Sequence, residues 1–339
     1  MTAPPTYTPP PLMKNGHVQT VFPSLFRKIN GIPYTRERIT TPDDDFLDLD
    51  WSRQGHRRLA IVSHGLEGDS DRAYVKGMVR ALHQFGWDCL AWNFRGCSGH
   101  MNRRLKFYHS GSCDDLAVVI DHAADPGLYD EIALVGFSIG GNITLLYLGK
   151  NHANLHPLVS CAAVLSVPCD LASGAEALAR PANRLYMQRF LRLLHQKIKQ
   201  KMEIMPDRID DKGYADLKNF EDFDNRYTAP INGFRDAADY WRLCSSKPWI
   251  IGIEVPTLMI SAVNDPFLAP ACFPETEVAA NHNVYLETPA SGGHVGFIQF
   301  NNNGVYWSEQ RIGEFCAHHS RTGSLHRPKG EPKQERRRP

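Results

Sequence analysis

The sequence predicts an α/β fold: a mostly parallel sheet of eight strands, with helices on both faces and a helical insertion. Strand-like and helix-like segments alternate along most of the chain, and such alternation is typical of parallel sheets covered on both sides. It stops between Asp170 and Trp249, where the sequence is mostly helical and polar and has no strand signal. Because ligands of such sheets bind at the carboxyl edge, we expect this insertion to form a cap above that edge.

The predicted strands are short apolar segments bounded by turn residues. The first two form an antiparallel hairpin, because residues 37–51 alternate in polarity around an acidic turn. The other six are predicted within residues 57–65, 87–96, 131–137, 161–170, 255–265 and 283–289.

The predicted core helices combine apolar residues at helical spacing with signals at their ends. The first ends on Gly86, which suits a helix C-terminus. The second begins with acidic side chains, which favour the positive end of the helix dipole. The four core helices are predicted within residues 72–86, 114–125, 138–150 and 306–319.

These elements predict four regions. Residues 1–35 form an N-terminal arm that packs on the core. The core itself consists of residues 36–168 and 248–320, the helical cap of residues 169–247, and the C-terminal tail of residues 321–339. The tail is basic and almost free of apolar side chains. It therefore cannot bury enough surface to stay ordered, and we expect it to be disordered and solvated.

The composition is that of a globular protein, with 42% hydrophobic residues and a formal net charge of +1. This balance gives no indication of a nucleic-acid partner. No signal peptide pattern is visible, and no segment approaches the roughly 18 apolar residues of a membrane helix. None of the 8 cysteines belongs to a C-x-x-C pair, so no zinc site is indicated. We expect a cytoplasmic protein; the oligomeric state is not indicated.

A candidate nucleophile lies in the segment Gly136-Phe137-Ser138-Ile139-Gly140, which matches the pattern G-x-S-x-G. The segment follows the predicted strand IALV and precedes a predicted helix, and this context is what defines a nucleophile elbow. Glycine is favoured on both sides of the serine because side chains there would collide with the neighbouring strand or helix. The sequence therefore predicts Ser138 as the nucleophile of a serine hydrolase.

A serine nucleophile needs a base, and the base needs an orienting acid. Where a nucleophile elbow is used, the chain order is serine, acid, histidine. After Ser138, the strand LMISAVND delivers Asp265 at its carboxyl end, and SGGHVGF carries His294 on a loop before the last helix. Asp170, also just past a strand, is the competing acid. Chain order and loop context favour Asp265.

The loop His64-Gly65-Leu66-Glu67-Gly68 directly follows the strand LAIVS. Its position predicts an oxyanion hole formed by the backbone N–H groups of Leu66 and Ile139. His64 precedes the serine in the chain, which does not fit the role of the base. We expect His64 to pack beneath the loop and to hold it by hydrogen bonds.

Eight motifs together resemble the YheT-like branch of the α/β-hydrolases, also called the AB-hydrolase-4 family. They are NGHVQT (15–20), HGLEG (64–68), NFRGCSG (93–99), YHSG (108–111), GFSIGGN (136–142), TAPINGF (228–234), SAVNDPF (261–267) and GGHVGF (292–297). The resemblance implies a triad on Ser138, Asp265 and His294, a helical cap, carboxylic-ester or lipid-ester substrates, and no metal or organic cofactor. Asn264 stands where many members have a second Asp.

The segment from Arg184 to Met205 has apolar residues at helical spacing, with basic residues on its remaining faces. We expect a cap helix with a solvated basic face. A functional interpretation adds an apolar wall for an acyl chain and transient attraction of the basic face to an anionic lipid surface. Arg95 follows a strand near the predicted site; a structural ion pair is favoured over contact with a substrate head group.

The sequence thus predicts a serine carboxylesterase or lipase that acts on short- to medium-chain acyl esters through an acyl-enzyme. Three alternatives stay open. The acyl group could pass to an alcohol instead of water, the bond cleaved could be a thioester or a peptide, or the chain could be a non-catalytic binding scaffold. The presence of all three triad residue types argues against the scaffold.

Overall fold

The computed structural model describes residues 6–301 and 303–321. Its centre is an eight-stranded sheet in the order β1-β2-β4-β3-β5-β6-β7-β8. Only β2 runs antiparallel to its neighbours, β1 and β4; every other pair of adjacent strands is parallel. The strands are β1 Thr35–Thr40, β2 Phe46–Ser52, β3 Arg58–Ser63, β4 Asp88–Asn93, β5 Glu131–Phe137, β6 Val159–Leu165, β7 Thr257–Ile260 and β8 Val284–Glu287. The predicted fold class and strand set are confirmed.

Helices cover both faces of the sheet, as predicted. The helices are α1 Gly16–Phe26, α2 Ala73–Gln84, α3 Cys113–Ala124, α4 Ile139–Lys150, α5 Leu171–Ala179, α6 Arg184–Ile204, α7 Phe220–Phe223, α8 Ala229–Asn232, α9 Ala237–Cys244, α10 Glu275–Ala279 and α11 Trp307–His318. Helices α2 and α11 pack into one apolar core, and α3 and α4 pack into the core on the opposite face. Gly86 adopts φ +77° just after α2, as expected of a helix C-terminus.

The fully described stretch from β6 to β7 contains no strand and runs through helices α5 to α9. Helices α5 to α8 share a separate apolar cluster that includes Leu178, Met187 and Tyr214. Phe267, which follows β7, joins the same cluster. Helix α9 packs on α5 through a small cluster of Leu171, Tyr240 and Cys244. The helices therefore pack as a layer of their own that contacts the carboxyl edge of the sheet.

Helix α1 contacts the core and has no counterpart among the helices predicted from the sequence. The side chain of Asn15 caps its first turn by accepting from the N–H groups of His17 and Val18. Upstream of α1, the Tyr7 hydroxyl hydrogen-bonds to Gln19 Oε1 and to the carbonyl of Ile298, each at 2.8 Å. These contacts fix the N-terminal arm on the core.

Within the described residues, no helix is long and apolar enough to cross a membrane. The predicted basic tail lies outside the described residues from position 322 onward.

Candidate active site

Ser138 lies at the turn between β5 and α4, in a strained backbone conformation with φ 53° and ψ −120°. Positive φ is uncommon for a residue with a side chain and persists only where the surrounding structure enforces it. Two hydrogen bonds do so here: the Ser138 N–H donates to the carbonyl of Leu165 at 2.9 Å, and the N–H of Asn142 donates to the Ser138 carbonyl at 3.1 Å. The predicted elbow geometry is present.

The two flanking glycines are required by close backbone approach. A Cβ at Gly136 would lie 2.6 Å from the carbonyl oxygen of Gly140, inside the start of α4. A Cβ at Gly140 would lie 2.6 Å from the carbonyl oxygen of Ser63, at the end of β3. Both distances are shorter than any real Cβ contact, so the pattern G-x-S-x-G is demanded by packing as well as by the turn.

His294 and Asp265 form a buried pair at the carboxyl edge of the sheet. His294 Nδ1 lies 2.9 Å from Asp265 Oδ2 and 3.2 Å from Oδ1. The Asp265 side chain is fully buried, and its Oδ1 also accepts from the N–H of Phe267 at 2.9 Å. The carboxylate thus fixes the imidazole through Nδ1 and leaves Nε2 as the ring nitrogen free to take a proton.

Asp170, the competing acid, caps the N-terminus of α5 and is not bonded to His294. It precedes α5, and its side chain accepts from the N–H of Ser173 at 3.0 Å as a helix N-cap. Asp265, not Asp170, is therefore the carboxylate bonded to His294.

Three side chains that sequence reasoning did not identify hold the His294 loop. Thr20 of α1 accepts from the N–H of His294 at 2.9 Å, and Ser166 accepts from the N–H of Val295 at 3.0 Å. Asn264 accepts from the N–H of Gly293 at 3.0 Å and donates to the carbonyl of Lys14 at 2.8 Å. An aspartate could not make the second bond, which gives a physical reason for Asn264 in this chain. Thr20 and Asn264 lie within the NGHVQT and SAVNDPF motifs.

The predicted oxyanion-hole residues lie beside Ser138. A Cβ at Gly65 would lie 3.3 Å from Ser138 Cβ, so the loop passes directly over the serine. Among the described residues, the backbone N–H groups of Leu66 and Ile139 have no hydrogen-bond acceptor. Two free N–H donors, one of them at a helix N-terminus, favour a developing negative charge.

His64 is buried beneath the loop, as predicted. Its Nδ1 hydrogen-bonds to the carbonyl of Gly65 at 2.7 Å, and its Nε2 accepts from the N–H of Phe94 at 3.1 Å. Because burial opposes the charged form, the pKa of His64 is lowered to about 3. Both ring nitrogens are occupied, so His64 supports the loop and does not act as a base.

The loop of residues 64–68 is also connected to α6. Glu67, at φ 51°, accepts from Lys197 Nζ at 2.8 Å and from the Tyr108 hydroxyl at 2.7 Å. The Tyr108 hydroxyl accepts in turn from the Glu67 N–H at 2.9 Å. The Glu67 and Lys197 side chains are only 9% and 7% exposed. A buried ion pair therefore ties the helical layer to the residue next to Leu66.

This pair corrects the predicted solvated basic face of α6. Lys197 and Lys201 point inward, whereas Arg184, Arg189, Arg192 and Lys199 are exposed. Lys201 Nζ donates to the backbone and side-chain oxygens of Asn102 at 2.7 and 2.9 Å, and burial lowers the pKa of Lys201 to about 8. The prediction was wrong for Lys197 and Lys201 because these two lysines have acceptors that lie far away in the sequence.

Lys197→Met should lower the free energy of unfolding by about 3 kcal/mol or more, because it leaves the Glu67 carboxylate buried without its cation. Urea unfolding measures the change. Lys199→Met, an exposed neighbour on the same helix, is the matched control and should change stability by less than about 0.5 kcal/mol. Equal effects of the two substitutions would contradict the role given to the pair, and Lys197→Met/Glu67→Gln should recover part of the loss.

Arg95 is a structural ion-pair residue, as favoured from the sequence. It is buried and forms ion pairs with Asp43 at 2.7 Å, Asp45 at 3.2 Å and Asp115 at 2.7 Å. Its guanidinium group is therefore occupied by these carboxylates, and it lines neither of the two cavities described below.

Two cavities meet at Ser138 and His294. The first, called here the inner cavity, encloses about 1100 Å³ with its mouth and also borders Leu66 and Ile139. Its wall is mostly apolar and includes Phe107, Leu171, Leu178, Phe190, Leu194 and Ile198. The second, called here the outer cavity, encloses about 1220 Å³ and is lined by residues that include Thr20, Val21, Leu25, Arg72 and Arg189. The described residues contain no cluster of three or more His, Cys, Asp or Glu side chains that could hold a metal ion.

Comparison with known proteins agrees with this geometry. The family model described as "Serine aminopeptidase, S33" matches residues 54–273. The chain is 35% identical over 292 residues to YheT of Escherichia coli strain K12, a protein named as an esterase, with 84% of each chain covered. It is 28% identical over 306 residues to phospholipase ABHD3 of Mus musculus, covering 87% of this chain and 74% of that one.

Among solved structures, the esterase Pf2001 of Pyrococcus furiosus aligns with a TM-score of 0.57 and 17% identity. The alignment covers 86% of this chain and 96% of that one. At this level of identity the likeness shows the shared fold.

Proposed function

Since the chain belongs to the family described as serine aminopeptidase S33, and within it to the YheT-like α/β-hydrolases, we propose that it is a serine carboxylesterase whose nucleophile is Ser138. The family predicted from the motifs is thereby confirmed, and the enzyme class is hydrolysis of carboxylic ester bonds. The observation that supports the mechanism best is the His294–Asp265 pair, which shares a cavity with Ser138 and with the unoccupied N–H groups of Leu66 and Ile139.

In the proposed mechanism, Ser138 Oγ attacks the ester carbonyl carbon while His294 Nε2 takes the hydroxyl proton. Asp265 stabilises the imidazolium through Nδ1. The carbonyl oxygen, now negatively charged, accepts hydrogen bonds from the N–H groups of Leu66 and Ile139. Collapse of this intermediate expels the alcohol, which receives the proton from His294 and leaves an acyl-enzyme. Water then attacks, His294 takes its proton, and the acid leaves as Ser138 recovers that proton.

The inner cavity supports an acyl chain as the substrate group that binds beneath helices α5 to α9. Its wall consists mostly of aromatic and aliphatic side chains, which favour apolar chains over charged groups. We propose short- to medium-chain acyl esters, with these helices acting as a cap over the carboxyl edge. The outer cavity, which reaches the same serine, would receive the alcohol portion.

The test is covalent labelling by a fluorophosphonate probe, combined with hydrolysis of p-nitrophenyl esters of increasing chain length. Wild-type protein should be labelled and Ser138→Ala should not. A wild-type protein that stays unlabelled and inactive would leave the binding scaffold as the better function. Parallel assays with acyl-CoA and peptide substrates separate ester from thioester and peptide chemistry, and added alcohols reveal acyl transfer as a new ester product.

A further inference from the structure

Helix α1 presents its apolar residues to solvent. Val18, Val21, Phe22, Leu25 and Phe26 are spaced three and four residues apart and so share one face of the helix. Leu25 is 62% exposed and Phe26 is 65% exposed. A surface helix normally turns such a stripe toward the core and its polar residues outward, so the orientation of α1 is inverted.

The inner face of α1 explains why the helix is fixed in this orientation. Gln19 is fully buried and hydrogen-bonds to Tyr7, and Thr20 holds the N–H of His294. A Cβ at Gly293 would lie 2.9 Å from both Gln19 Cβ and Thr20 Oγ1. The polar residues of α1 therefore position the loop of the proposed base, which leaves the apolar stripe on the outer side of the helix.

The exposed stripe continues onto a neighbouring loop and into the active site. The Phe22 ring lies 5.0 Å from that of Phe26 and 6.4 Å from that of Phe300, which is 62% exposed. Val21 and Leu25 also line the outer cavity together with Ser138 and His294. We call the surface formed by Val18, Val21, Phe22, Leu25, Phe26 and Phe300 the α1 patch. It joins the wall of the cavity that contains the nucleophile.

Positive charge surrounds the α1 patch. Lys14 and Lys28 lie at the two ends of α1, and Arg184 and Arg189 lie on α6, which contacts α1 through Tyr186 and His17 at 3.2 Å. All four cations are exposed, and none forms an ion pair within the described part of the chain. Apolar side chains flanked by Lys and Arg are the signature of helices that lie in the interface of an anionic membrane.

The size of the patch also favours a lipid surface over a protein partner. A helix of 11 residues is about 16 Å long, and one face of it is only about 10 Å wide. That area is far below the roughly 800 Å² per partner that a stable protein pair buries. Insertion into a lipid layer has no such threshold, because every buried apolar side chain contributes separately.

We propose that the α1 patch docks the enzyme on an anionic lipid surface, so that a lipid ester passes from that layer into the outer cavity and reaches Ser138. In this proposal α1 makes the main contact with the lipid, in place of the basic face of α6 considered from the sequence. Helix α6 contributes only the flanking charges of Arg184 and Arg189. The inference goes beyond ester hydrolysis, which needs no surface.

The test is co-sedimentation with vesicles of phosphatidylcholine alone or mixed with phosphatidylglycerol. The informative variant is Phe26→Ser/Phe300→Ser, because neither side chain lines the inner or the outer cavity. The matched control is Ile251→Ser: Ile251 is 61% exposed and lies in the segment that packs on the C-terminal end of α4, away from Ser138. All three proteins should hydrolyse a water-soluble p-nitrophenyl ester equally, which shows that they are folded.

Wild type and Ile251→Ser should bind the mixed vesicles, and more weakly those of phosphatidylcholine alone. The double variant should bind at least about tenfold more weakly. Equal vesicle binding by the double variant, or no binding by wild type, would overturn the proposal. So would a wild-type dimer that the double variant abolishes, because a second copy would then cover the patch. The delivery of a lipid ester to Ser138 rests on the proposed function, so failure of ester hydrolysis would overturn that function and the delivery together. Docking is tested separately, because vesicle binding is measured without turnover.

Discussion

Ser138→Ala is expected to reduce turnover of p-nitrophenyl esters by a factor on the order of 10⁴ or more, with little change in KM. The substitution removes the atom that forms the acyl-enzyme in the proposed mechanism, whereas the cavity and the free N–H groups of Leu66 and Ile139 remain. His294→Ala should cost about as much, because the serine hydroxyl is a poor nucleophile without its base. The combined variant should lose little more than either alone, since the residues act as one unit.

The matched control for Ser138→Ala is Ser173→Ala. The Ser173 hydroxyl donates to the carbonyl of Asp170 at the start of α5 and lines neither cavity. Its loss should leave turnover within about a factor of two, because the hydroxyl does not reach the site, and should cost only about 0.5–1.5 kcal/mol of stability. If Ser138→Ala kept more than a tenth of wild-type turnover while folded, Ser138 could not be the nucleophile.

Asp265→Asn is expected to reduce kcat by about 10² to 10⁴. The carboxylate accepts from His294 Nδ1 and from the Phe267 N–H, so it is committed to two donors. An asparagine amide can turn its NH₂ toward the histidine and thereby favour the tautomer whose Nε2 carries the proton. Such an imidazole cannot take the proton of Ser138, although the geometry is otherwise preserved.

Asp170→Asn is the matched comparison because it makes the same chemical change at the competing acid. Asparagine is as good an N-cap as aspartate, so the bond to the Ser173 N–H should persist. We expect stability within about 0.5 kcal/mol of wild type and turnover close to wild type. If Asp170→Asn greatly reduced turnover and Asp265→Asn did not, Asp170 and not Asp265 would be the acid that orients the base.

The local signals of the site were readable in the sequence because each lies within one strand–loop unit. The elbow needs a buried strand, a turn with small neighbours and a helix start, and all three fall within the segment from Glu131 to Lys150. Asp265 and His294 were predictable because loops that leave the carboxyl edge of a parallel sheet must converge. Their bond at 2.9 Å shows that convergence.

The sequence by itself determined the fold class, the chain order of the proposed nucleophile, acid and base, and the loop over Ser138, since these depend on periodicity and chain order. Only the tertiary structure decided which charges are buried and which apolar residues are exposed. Lys197 faces inward because it forms an ion pair with Glu67, which lies 130 residues earlier in the chain. The apolar side of α1 faces outward because Thr20, on the opposite side, accepts a hydrogen bond from the His294 loop. Whether a side chain is buried depends on contacts with residues distant in the sequence, and these contacts cannot be predicted from helical periodicity or composition.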